Sequence, residues 1–168
     1  DAPITLVEFA DLQCPFCRDF AVHDLPGIVK DYVKPGDVRM ELRLLAFIGS
    51  DSETGRQIAA AAAQQDRIWP LAENVYSHQG TENSGYLTED FMREQGEAVE
   101  GLDIDQAISE RGSEEVAQYT QESEEEARKS GATSTPAFLV GPTDGKKVLT
   151  DADGLRDAID KALAEAKG

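Results

Sequence analysis

The chain holds two cysteines, three positions apart, in the run Gln13-Cys14-Pro15-Phe16-Cys17. A thiolate attacks a disulfide sulfur, and a second thiol one helical turn away can open or close an internal bridge, so this spacing suits thiol–disulfide exchange. At a helix start, Cys14 has backbone N–H groups and the positive end of the helix dipole aimed at its sulfur. That favours thiolate and makes Cys14 the attacking residue. Cys17, deeper in the same helix, is the resolving partner. Pro15 lacks only an N–H that the first helical turn leaves without a partner anyway. Phe16 either offers an apolar grip for a peptide beside the sulfur or packs against the helical part of the molecule. The bland alternative is a chance cysteine pair in a helix. A zinc site would need four ligands, and the two histidines, His23 and His78, stand at no finger-like spacing, so no metal is expected.

Such a pair needs a strand before it and a helix after it. Ile4 to Ala10 is a β-rich run with Ile4, Leu6 and Ala10 on one face and Val7 and Phe9 on the other. Two apolar faces mark a strand covered on both sides of a parallel or mixed α/β sheet. From Cys14 the period turns helical through Phe20, Ala21, Leu25, Ile28, Val29, Tyr32 and Val33. A kink is expected at Pro26-Gly27 and an end at Lys34-Pro35-Gly36. A second strand follows at about Val38–Leu45. Residues 51–130 then read as helices. Ser52 or a neighbour caps a helix running to Gln65, and another passes through Trp69 and Val75 and stops before Gln79-Gly80. Thr88 is an N-cap with Leu87 and Met92 as a hydrophobic staple, and Asp103 with Gln106 forms a capping box. Ser113 opens a long helix that Gly131 closes. Pro136–Gly141 and Lys146–Leu149 read as a hairpin around Pro142–Gly145, and Asp151 caps a last helix.

The chain's 168 residues, 40% of them apolar, suit one core carrying an insertion. Its 33 acidic and 16 basic residues give a net charge of −17, which repels phosphate backbones and anionic leaflets and argues against nucleic acid as a partner. Residues 81–130 hold 15 acidic and 4 basic residues, a net of −11; this reads as a solvated helical face, with an acidic docking surface as the alternative. No apolar run approaches the roughly 18 residues of a membrane span. The chain opens at Asp1 without a basic or apolar leader, which decides nothing about a signal peptide or anchor removed ahead of it.

The order β–α–β, helical block, β–β–α resembles the thioredoxin superfamily, specifically the DsbA-like thiol–disulfide oxidoreductases. The resemblance rests on Val7 to Cys17, on Gly131-Ala132-Thr133-Ser134-Thr135-Pro136-Ala137-Phe138 and on the block lengths between them. It implies an α/β thioredoxin fold interrupted by an all-helical insertion: residues 1–50 and 131–168 form the thioredoxin-fold domain and 51–130 the insertion. Thr135-Pro136 resembles the cis-proline loop that lies against the active site and pairs with extended substrate backbone, together with Pro15 and Phe16. Glu8 shares a strand face with Ile4 and Leu6; it either reaches water or is a buried carboxylate of raised pKa that takes the proton of Cys17, and the family carries an acid at the matching place. The resemblance further implies an extracytoplasmic monomer with or without a membrane anchor. Its clients would be cysteine-bearing polypeptides, its redox partner a quinone-linked membrane protein of the DsbB or vitamin K epoxide reductase type, and its only redox group the Cys14–Cys17 pair. Without His between the cysteines, it would be a milder oxidant than members that have one. The Pro-aromatic dipeptide also resembles glutaredoxins, which keeps a cytosolic, glutathione-linked reductase as the first rival. A non-catalytic binding module with a structural disulfide is the second.

Overall fold

β1 (Ile4–Ala10) is buried along its whole length in the computed structural model, which describes residues 2–166. It pairs in parallel with β2 (Val38–Leu44) and antiparallel with β3 (Ala137–Pro142), and β4 (Val148–Thr150) lies antiparallel outside β3. The sheet order is β2-β1-β3-β4. On one face Ile4 and Leu6 pack with Phe138 and Val140 against Phe20, Ile28, Leu155 and Ile159. On the other, Val7 and Phe9 pack against Ala127 and Ala132. Helices therefore cover both faces, as the two apolar sides of β1 require.

The helix after the cysteines comprises α1 (Pro15–Asp19), a π-helical stretch (Phe20–Asp24), α2 (Leu25–Ile28) and a second π-helical stretch (Val29–Val33). The chain stays helical through Pro26. The adjustment falls in the turn before it, where the Leu25 N–H donates to the Phe20 carbonyl five residues back, and such a widened turn accommodates a proline that cannot donate.

The insertion comprises α3 (Ser50–Ala63), α4 (Ile68–Ser77), α5 (Glu89–Glu97), α6 (Ile104–Glu110) and α7 (Glu114–Ser130), and α8 (Leu155–Ala166) closes the thioredoxin part. Ala59, Ala60, Ala61 and Ala62 are all wholly buried, so α3 is enclosed on every side by α4, α5, α6 and α7. Methyl-sized side chains let four neighbours approach one helix. This core runs without a break into the exit of the sheet, where Ala10, Leu12, Cys14 and Cys17 join Ile58, Leu71 and Val75.

Thr88 and Ser113 cap α5 and α7 as their spacing predicts, accepting from the N–H groups of Phe91 and Val116, and Gly131 closes α7 at φ 83°. Three local readings change. Ser52 is inside α3 rather than its cap. Asp103 accepts from the Gln106 N–H, but the return bond of the box is absent: the Asp103 N–H donates to Gln65 Oε1, and the Gln106 side chain turns to Glu110. The hairpin partner begins at Val148 instead of Lys146. Asp151 holds the Gly154 N–H, one residue ahead of α8.

The closeness of α3 to its neighbours gives a direct test. Ala60→Leu should lower the free energy of unfolding in urea by about 1–3 kcal/mol through overpacking. Gln64→Leu, at the exposed end of the same helix, should change it by less than about 0.5 kcal/mol.

Candidate active site

Because β1 runs parallel to β2 and antiparallel to β3, the entry of β3 lies beside the exit of β1, with Ala137 opposite Phe9. The residues just before β3 therefore meet the turn just after β1. Thr135 and Pro136 are joined by a cis peptide bond, and the Cys14 thiol donates to the Thr135 carbonyl at 3.4 Å. Cys14 is the N-cap of α1, with Pro15 at its first position. Both cysteines are free thiols and both are buried, Cys17 completely. Phe16 is 70% exposed, which removes the packing alternative, and it borders a surface groove with Phe20, Thr135 and Pro136.

The two thiols are pushed in opposite directions. Cys14 is lowered to about 6, first by the hydrogen bond from the Cys17 thiol, then by Thr135 and the backbone N–H groups of Cys17 and Phe16, against the opposing cost of burial. Cys17 is raised well above the ordinary thiol range by burial and by Cys14. Glu8, on β1 between Leu42 and Phe138, is 2% exposed, and its Oε2 has no hydrogen-bond partner among the described residues. Burial raises its carboxyl to about 8. It borders a cavity of about 300 Å³ walled by Leu25, Val29, Met40, Leu42 and Trp69, with Glu73 also at its wall, so among the described residues no cationic side chain lines it to compensate a charge.

Sequence reading passed over what holds the turn of residues 11–14. The buried Asp11 carboxylate accepts four bonds: Gln13 N–H at 2.9 Å and Ser52 Oγ at 2.7 Å on one oxygen, Phe47 N–H at 2.8 Å and Ile48 N–H at 3.0 Å on the other. The insertion supplies the rest. Tyr76 donates to the Asp11 carbonyl, Tyr86 to that of Leu12, and Gln79 Nε2 to the carbonyls of Leu12 and Cys14 at 2.9 and 3.0 Å. The Asn83 N–H donates to Gln13 Oε1. Gly80 must lack a side chain because a Cβ there would meet the Tyr86 ring at 2.7 Å. The only signal in the sequence was the polar stretch Gln79–Tyr86 after a helix, and nothing in it pointed back 65 residues or more.

A cysteine pair at the exit of a central strand, a cis-proline against it and a buried acid on that strand whose charge acts on Cys17 are set in a sheet of this order, and the family model described as thioredoxin matches residues 1–161. The chain belongs to the thioredoxin family. It is 30% identical to "Probable disulfide bond formation protein D" of Bacillus anthracis over 166 residues, 97% of this chain and 75% of that protein. The structure of oxidised BdbD from Bacillus subtilis superposes with a TM-score of 0.83 at 23% identity, covering 98% of this chain and 89% of that one. A thioredoxin-like oxidoreductase from Silicibacter pomeroyi is 28% identical with a TM-score of 0.74, over 97% of this chain and 88% of that one. Within the thioredoxin family the architecture is DsbA-like, a thioredoxin fold with a helical insertion, and the activity is thiol–disulfide oxidoreduction.

The position of Glu8 makes stability depend on pH. Its carboxyl titrates near 4.5 in the unfolded chain and near 8 in the fold, so between those values the folded state holds a proton that the unfolded chain has lost. The penalty is absent below about pH 4 and grows until about pH 8. Reduced Glu8→Gln protein should match wild type in urea unfolding near pH 4 and exceed it by roughly 2–5 kcal/mol at pH 8, the titration of Cys14 being common to both. An equal difference at both pH values would mean that Glu8 ionises in the fold as it does in water.

Proposed function

We propose that the protein is an extracytoplasmic dithiol oxidase that forms disulfides in client polypeptides through a mixed disulfide at Cys14. The observation that carries this reading is the placement of the two thiols, Cys14 at the N-cap of α1 against the cis Thr135-Pro136 bond and Cys17 wholly buried in the same helix, which pushes Cys14 down to about 6 and Cys17 well up. In the oxidised protein a client thiolate attacks Sγ of Cys14. The Cys14–Cys17 bond breaks, and Cys17 leaves and takes a proton, which Glu8, neutral at pH 7, supplies. A second client thiolate then attacks the client sulfur of the mixed disulfide. Cys14 is expelled with the electron pair, and its low pKa makes it a good leaving group. The client gains a disulfide and the protein is left as the dithiol. Reoxidation runs the same steps backwards: Cys14 thiolate attacks the disulfide of a redox partner, and Glu8 takes the proton of Cys17 as Cys17 closes on Cys14. A carboxyl that titrates near 8 can serve in both directions.

Pro15, Phe16, Thr135 and Pro136 take the client segment. Exposed Phe16 and the groove along Thr135-Pro136 flank the reacting sulfur and leave room for an extended chain. Residues 1–50 and 131–168 serve as the redox domain and 51–130 as the insertion, and the protein acts as a monomer. Its redox partner is a quinone-linked membrane protein of the DsbB or vitamin K epoxide reductase type. No helix among the described residues is long and apolar enough to cross a membrane. The similarity to a protein named for disulfide bond formation favours this reading over a glutathione-linked reductase.

Oxidised protein mixed with a reduced peptide containing two cysteines should yield oxidised peptide and protein dithiol in equal amounts. Cys17→Ser should accumulate mixed disulfide through Cys14, and Cys14→Ser almost none. Glu8→Gln should slow closure at Cys17 during reoxidation on the order of tenfold or more while leaving the attack of Cys14 thiolate on the partner's disulfide within about twofold. Alkylation of reduced protein should modify Cys14 first, half-maximally near pH 6. Modification of Cys17 first, or a client that is never oxidised, overturns the reading.

A further inference from the structure

Of the contacts by which the insertion reaches the reactive turn, the one from Gln79 bonds it twice and meets Cys14 itself. The Gln79 Nε2 donates to the carbonyls of Leu12 and Cys14, and the second of these belongs to the residue that carries the attacking sulfur. That carbonyl also accepts from the Arg18 N–H at 3.1 Å. Gln79 is itself fixed just past the end of α4, where its N–H donates to the Tyr76 carbonyl at 3.3 Å, and the following Gly80 lies against the Tyr86 ring. Covalent geometry keeps the Cys14 carbonyl oxygen within a few ångströms of its own Sγ. Any negative partial charge left uncompensated on that oxygen therefore stands beside the sulfur, in a buried setting where such charges weigh more than in water.

We propose that Gln79 is a positioning residue for Cys14: its amide fixes the turn of residues 12–14 and compensates the carbonyl charge beside the sulfur, so the helical insertion sets how readily Cys14 carries a negative charge. This rests on the reading of Cys14 as the reactive thiolate. Gln79 takes no part in bond making; it acts through the backbone of Cys14. With its donor removed, the thiolate loses stabilisation, the reduced protein becomes less favoured, and the protein becomes a weaker oxidant. The titratable and charged groups around Cys14 stay the same in every variant: Cys17 in its own helix, Glu8 on β1, Asp11 in the turn, and Tyr76 and Tyr86 from the insertion.

The test is the Cys14 pKa, read from thiolate absorbance in wild type and in Gln79→Leu, Gln79→Glu and Gln79→Lys, with the glutathione redox equilibrium measured on the same proteins. Leu should raise the pKa by about 0.5–1 unit, the equivalent of one lost hydrogen bond, and shift the equilibrium at pH 7 on the order of three- to fivefold toward oxidised protein. Glu, which offers no donor and adds a negative charge, should raise it further. Lys, which restores a donor, should bring it back to the wild-type value or below. The order Lys, Gln, Leu, Glu should persist in 1 M salt, where charges exposed to solvent are screened within about 3 Å. Glu82→Gln, an exposed charge change outside the contact, should leave the pKa unchanged. A wild-type pKa in a folded Leu variant overturns the proposal, and so does an ordering that vanishes in high salt. A wild-type Cys14 that titrates like a free thiol would instead sink the functional reading beneath it.

Discussion

The turn of residues 11–14 passes through the interior of the protein, and a buried backbone must find partners for its polar groups. Asp11 meets part of that requirement by drawing four donors from the turn, from Ser52 of α3 and from the loop after β2. Tyr76, Gln79 and Tyr86 meet the rest by donating to the carbonyls of residues 11, 12 and 14. A β–α–β unit alone could leave such a turn to water. Here the insertion covers it, so the insertion has to carry the polar groups that water would have provided. The continuous core from Cys14 and Cys17 to Ile58 and Leu71 is the apolar side of the same constraint.

Burial then does different work on three titratable groups a few residues apart. Cys14 keeps donors on its charged form, from the Cys17 thiol and from the N–H groups of the α1 start, and they outweigh the cost of desolvation. Cys17 faces the same desolvation with only a backbone hydrogen bond from Asp11 against it, and Glu8 with nothing against it, and both are driven toward their neutral forms. A carboxyl with an unpaired oxygen beside an apolar cavity is expensive to keep. A well-placed apolar residue would pack there at lower cost, so packing alone does not account for Glu8.

Much of this was legible from residue order alone. β1 was readable to the residue because both faces of the run are apolar, and the caps at Thr88 and Ser113 because a cap is a contact between residues three apart. The cysteine pair and Pro136 come together because the antiparallel pairing of β1 and β3 fixes it. What stayed hidden was polar and distant. Gln79 meets Cys14 across 65 positions, Ser52 meets Asp11 across 41, and Gln65 takes the N–H of Asp103 that the local box would have satisfied. No periodicity marks such pairs, because each depends on where whole helices pack. At Pro26 the sequence shows that a donor is missing but not how the helix adjusts, which here is a widened turn just ahead of the proline.

The central claim is that the fold favours the reduced pair by holding Cys14 as thiolate, so that the Cys14–Cys17 bridge is a working oxidant. The reduction potential of that bridge against glutathione at pH 7 measures this directly. The account predicts a value between about −270 and −120 mV, the range from thioredoxin to the strongest oxidants of this kind. A potential at or below about −300 mV, that of a structural disulfide, would contradict it.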